Sequence, residues 1–267
     1  GAGAGEGIDP GGALQFRSSG DGAGDLLMRR LLWLWLWLAL TPCLANSLEL
    51  SNTRLLLPAD RTDTELWLRN PEAGTWQGEA RLYRWQQQDD GEQLLPAEDV
   101  ALSPRRLQIA AGQRQRLRVV RLGPAPAGVQ HAYRLVISPA SDVPTPSPPI
   151  RYSLPVFLDP VALAAPTLLH LQARALPGQP PQLWLYNEGT RHAHLADLVF
   201  VDAKGRRQLL IAGLAGYVLP GRRRHWALPW RADGYAGGRF RARLDHAPEA
   251  ALDAPPPSFA AGAPGGL

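Results

Sequence analysis

The 267-residue chain is 45% hydrophobic and 19% charged, which is long and apolar enough for two ordinary domains with their own cores and excludes disorder away from the ends. Its formal charge of +4 comes almost wholly from arginine, Lys204 being the sole lysine. Those arginines are dispersed along alternating runs and not gathered on one basic face, which argues against a nucleic-acid partner.

Met28 is the only methionine, and it opens the layout of a secretory signal. Arg29 and Arg30 are followed by an apolar run over residues 31–40 and by Pro42-Cys43-Leu44-Ala45, with small residues at the cleavage positions. Residues 28–45 are thus expected to be a cleavable signal peptide, and the Gly-rich residues 1–27 an over-extended gene start. The apolar run is shorter than the roughly 20 residues a membrane-spanning helix needs, so no stable membrane insertion is expected after cleavage. Cleavage after Ala45 removes the only cysteine, so the exported fold must rest on packing and not on disulfides.

From residue 46 to about 160 the sequence predicts short strands at 48–57, 64–68, 75–85, 106–109, 115–122, 131–137 and 150–158. Turn signals separate them: Asn70-Pro71, Asp89-Asp90-Gly91, Ala111-Gly112 and Gly123-Pro124. Alternation is clearest around residues 115–119, where Arg114, Arg116 and Arg118 share one face and are expected to be solvated. A second set follows Pro160 and Pro166, at 168–173, 182–186, 193–201, 208–211, 225–228 and 239–244. Its turns are Asn187-Glu188-Gly189, Ala203-Lys204-Gly205 and Leu219-Pro220-Gly221. The spacing predicts an all-β chain of two immunoglobulin-like β-sandwich domains, at 46–160 and 161–249, with a flexible tail at 250–267.

The search for chemistry yields little. His192 and His194 fall on one strand face, which suits a metal, but no third ligand of matching spacing accompanies them, and neither a metal nor a cofactor is expected. Asp89 and Asp90 sit in a Gly-containing turn and read as solvated. With no phosphate loop, nucleophile elbow or serine-centred motif, the chain is not expected to be an enzyme.

The ordered set of motifs resembles the periplasmic pilus chaperones of the chaperone/usher pathway (PapD-like), in particular the archaic branch. It comprises Asn52-Thr53-Arg54-Leu55, Leu66-Trp67-Leu68-Arg69-Asn70, Tyr83-Arg84-Trp85-Gln86, Leu94-Leu95-Pro96, Ser103-Pro104, residues 109–117, Tyr133-Arg134-Leu135 and Arg151-Tyr152-Ser153-Leu154-Pro155-Val156-Phe157. The resemblance implies two sandwiches in a boomerang arrangement, residence in the periplasm, and pilus subunits and an outer-membrane usher as partners. It implies binding by strand addition. A subunit lacking its last strand exposes an apolar groove, and the chaperone lends an edge strand by donor-strand complementation.

The resemblance places the lent strand at Val143, Ile150 and Tyr152, and the residues that hold the subunit's C-terminal carboxylate at Arg54 and Arg151. Where the conventional branch carries a lysine, this chain has Pro155, and Arg151 lies four residues earlier on the same strand face. A competing role for Arg54 and Arg151 is structural pairing with an acid such as Asp159. Prolines at 144, 146, 148 and 149 interrupt the lent strand and cannot donate to a ladder. Three outcomes stand open: a short zipper centred on Ile150, prolines that pre-extend the segment, or a periplasmic two-sandwich binding protein that has lost subunit capping.

Overall fold

The computed structural model describes residues 47–89, 91–140, 150–162, 169–174 and 179–252. The expected gene extension at 1–27, the signal peptide at 28–45, Val143 and the proline run lie outside these residues. Every regular element described is a strand.

The predicted first strand at 48–57 is two strands in two different sheets. β1 (Glu49–Leu50) pairs antiparallel with β3 (Asp63–Arg69), whereas β2 (Leu55–Leu57) runs parallel to β10 (Tyr152–Leu158). The Ser51 N–H bonds to the Trp67 carbonyl and the Ser51 hydroxyl accepts from the Trp67 N–H, which ends the first ladder. The chain then bends through Arg54, so Leu48 packs into the core from one side and Leu55 and Leu57 from the other.

One sheet of this first sandwich has the order β1, β3, β8 (Arg114–Arg121), β6 (Val100–Ser103). The other runs β2, β10, β9 (His131–Pro139), β4 (Trp76–Gln88), β5 (Gly91–Pro96), with β7 (Arg106–Ile109) also paired to β4. Leu66, Leu68, Leu117 and Val119 from one sheet meet Ala80, Tyr133, Leu135 and Val156 from the other in one dry core. On the outer face of β8, Arg116 and Arg118 are exposed and pair with Glu65 at 3.5 Å and Asp63 at 3.0 Å, the solvated ladder its alternation predicts.

The second sandwich sets β11 (Leu169–Arg174), β12 (Gln182–Asn187) and β15 (Arg223–Ala227) against β14 (Arg207–Val218), β13 (Ala193–Val201), β16 (Arg239–Leu244) and β17 (Ala250–Ala251). Leu183, Leu185 and Trp226 pack on Leu195, Phe200, Val218 and Phe240. β14 runs seven residues past its predicted end at 211, because a bulge carries it round a bend. There Asp197 (φ 52°) and Gly213 (φ 68°) take left-handed conformations, and the Asp197 carboxylate accepts the Gly213 N–H at 2.7 Å. The tail was expected to be flexible from residue 250, but Ala250 and Ala251 pair with β16 and Leu252 is buried, since an apolar residue beside an open edge gains by docking.

A repeated device closes both sandwiches. Asn70 and Asn187 are fully buried, and each side-chain amide donates to a carbonyl four residues ahead and to one on a distant strand. Each side-chain oxygen takes an N–H two residues on, and each backbone carbonyl takes a glycine N–H, from Gly112 and Gly221. Both glycines have φ near +65° to +70°, so the turn residues read from the sequence are the partners of two buried asparagines.

Candidate functional site

Three kinds of contact join the two sandwiches. Trp85 of β4, Ala132 of β9 and Phe157 of β10 form an apolar cluster with Tyr217 of β14 and Leu219. Gln87, at the end of β4 and 2% exposed, donates to the Tyr217 carbonyl and accepts the Leu219 N–H, both at 2.8 Å. Gln130 does the same ahead of β9: its backbone N–H reaches the Thr190 carbonyl and its side-chain oxygen takes the His192 N–H. Both side-chain amides bond across the seam, which fixes them as no solvated glutamine is fixed.

The turn acid Asp89 is not simply solvated: it pairs with Arg223 of the second sandwich. Glu92 bridges Arg134 and Arg224 at 3.5 and 3.3 Å, and the Arg134 guanidinium lies 3.8 Å over the Trp85 ring.

Arg54 stands in the bend before β2, not in a strand, and is partly buried. One of its Nη atoms lies 3.4 Å from His192 Nε2. His192 stacks on Phe157 at 3.6 Å with the rings nearly parallel, and its Nδ1 lies 2.7 Å from Gln130 Oε1. Burial first, then the charges of Arg54, His194 and Arg191, depress the His192 pKa to about 3. Its ring is therefore neutral, and since the Gln130 oxygen can only accept, the proton sits on Nδ1.

The competing pairing of Arg54 and Arg151 with Asp159 does not occur. Asp159 is buried, accepts from Gln130 Nε2 at 2.8 Å and pairs with Arg191 at 3.4 Å. Among the described residues no carboxylate comes within ion-pairing distance of Arg54 or Arg151. Arg151 is exposed, one residue ahead of β10. Because Leu55 aligns with Val156, Arg54 stands level with Pro155. Arg151 is four residues, about 13 Å, further along the strand. Ser153, between those two levels of the strand, is exposed.

β10 pairs with β9 from Tyr152 to Leu158, but β2 covers its other side only from Val156 to Leu158. The Asp159 N–H bonds to the Leu57 carbonyl, so backbone groups of odd-numbered residues in this strand point to the β2 side. The N–H and C=O of Arg151 and Ser153 therefore face an edge on which no described strand lies. Pro155 is tolerated mid-strand because its missing N–H belongs to that same side, leaving the β9 ladder whole. Ile150 is 37% exposed and shares the parity of Leu154 and Val156, which face the core. Tyr152 packs partly against that core and its hydroxyl bonds to the Leu48 backbone, so much of this side chain serves its own domain.

His192 and His194 do share a face, both against Tyr217, and His194 stacks on His246 at 5.0 Å. Among the described residues no three His, Cys, Asp or Glu side chains are placed to hold a metal. Sequence reasoning named Arg54 and the edge strand but not Gln87, Gln130 or the contact of His192 with Arg54. Their partners lie 62 to 138 residues away, beyond any local pattern.

Residues 47–164 match the family described as pili and flagellar-assembly chaperone, PapD N-terminal domain. No curated protein matches the sequence closely enough to count as a relative. The fold is similar to a chain of the CsuC–CsuE chaperone–tip adhesion subunit pre-assembly complex from archaic chaperone-usher Csu pili of Acinetobacter baumannii. The two are 22% identical with a TM-score of 0.63, over 78% of this chain and 98% of that one. The Escherichia coli chaperone DraB gives 15% and 0.54 over 78% and 97%, and a chain from Salmonella enterica SafA pilin in complex with the SafB chaperone gives 19% and 0.52 over 76% and 93%.

Proposed function

We propose that this chain, whose residues 47–164 match the PapD N-terminal-domain family, is a periplasmic chaperone that captures incomplete immunoglobulin-like pilus subunits by donor-strand complementation and delivers them to an outer-membrane usher. The observation that carries the reading is the open edge of β10. Arg151 and Ser153 present backbone donors and acceptors on a side that no described strand covers, beside an apolar parity that ends in exposed Ile150. In this reading the exposed Ile150 enters the subunit groove, with Arg54 and Arg151 holding the subunit's terminal carboxylate.

A guanidinium with no acidic partner among the described residues suits this task, because a carboxylate can take two parallel hydrogen bonds from it. The test is co-expression of the exported chain with a subunit gene found beside an usher gene, followed by purification on a tag carried by the chaperone. A stable one-to-one complex is expected. No complex with any such subunit would overturn the reading.

A further inference from the structure

We propose that His192, supplied by the second sandwich, is a positioning residue that aims Arg54 at its anionic ligand by accepting one guanidinium N–H on a neutral ring nitrogen. The inference rests on the carboxylate-anchor reading above and adds a residue that reading does not contain.

The chain of contacts has a direction. Asp159, held by Arg191, can only accept, so the Gln130 side-chain nitrogen must face it and the Gln130 oxygen must face His192. That oxygen takes the His192 backbone N–H at 2.9 Å and the Nδ1 proton at 2.7 Å, which leaves the Nε2 lone pair turned toward Arg54. The ring is clamped in plane by its stack on Phe157.

The chemical type of the acceptor matters. A carboxylate in this place would neutralise Arg54 and compete with the incoming anion. A neutral imidazole occupies one donor, fixes the guanidinium plane, and leaves the full positive charge and the remaining N–H groups for the ligand. Because Arg54 comes from the first sandwich and His192 from the second, the anchor is assembled across the seam, and subunit capture depends on the two sandwiches being docked.

The experiment uses the full exported chain and two probes, a nonapeptide of alternating valine and threonine ending in a free carboxylate and the same peptide as its C-terminal amide. Wild type is expected to prefer the acid by roughly tenfold or more. Arg54→Ala should bring the ratio near one, His192→Phe, which keeps a ring on Phe157 without an acceptor, should lower it several-fold, and His192→Gln, which restores an acceptor, should recover it. In the free protein the nitrogen resonances of His192 should show the proton on Nδ1.

If Arg54→Ala leaves the ratio unchanged, or wild type shows no preference, the carboxylate anchor itself fails and this proposal with it. If Arg54→Ala collapses the ratio while His192→Phe weakens both peptides equally, only the role of His192 is overturned and it is a packing residue. A proton on Nε2 would likewise overturn it.

Discussion

At the scale of single residues, Arg54 is distinguished by its neutral neighbour. Exposed arginines such as Arg116 find an acid on the neighbouring strand, whereas among the described residues the hydrogen-bond partner of Arg54 is the neutral His192. Losing Arg54 should leave a captured carboxylate partly desolvated and poorly paired, a cost of about 2–5 kcal/mol in subunit binding by competition assay. Arg116→Ala, which removes an exposed pair, should cost about 0.5 kcal/mol or less. Equal losses would return Arg54 to a structural role.

His192 also marks the stability profile. It is depressed to about 3 in the fold against 6.5 when free, so the unfolded chain binds the extra proton between those values. Its contribution is complete above pH 6.5 and is lost as the pH falls toward 3. Denaturant unfolding at pH 7 and pH 5 should show wild type losing about 2 kcal/mol more than His192→Gln over that interval. Parallel losses in both proteins would mean that His192 is charged in the fold.

Among the elements, period-two alternation found the strands that own a hydrophobic face, such as β8 and β13. It failed where composition is flat. The second half of β14 reads Ala-Gly-Leu-Ala-Gly-Tyr-Val, whose small residues carry no alternation, and it was recognisable as strand only through its bulged pairing with β13. The split of residues 48–57 into β1 and β2 was hidden as well, because leucines on either side of the bend serve one core from opposite sheets. Asn70 and Asn187 were legible as turns but not as buried plugs. Replacing either with alanine strands two carbonyls and an N–H, and should lower unfolding free energy by about 2–4 kcal/mol. Ile150→Asn should instead release subunit on pull-down while leaving the melting temperature of the free chain nearly unchanged, since its side chain is partly solvated. A variant that unfolds would assign Ile150 to the chaperone's own core.

Over the whole molecule, the sandwiches are joined by groups whose partners are fixed and buried: Gln87, Gln130 and the cluster around Phe157. Such a seam makes one working surface of two folding units, and it is the level least visible in sequence, because each bond spans most of a domain. The chaperone reading itself turns on whether a foreign strand joins the open edge of β10. The most direct measurement is amide hydrogen exchange at Arg151 and Ser153, free and in complex with a captured subunit. Both amides face the side that no described strand covers and should exchange fast in the free chain, then slow by orders of magnitude in the complex as they enter a ladder. A complex in which these two amides exchange as fast as in the free protein would contradict strand addition at β10.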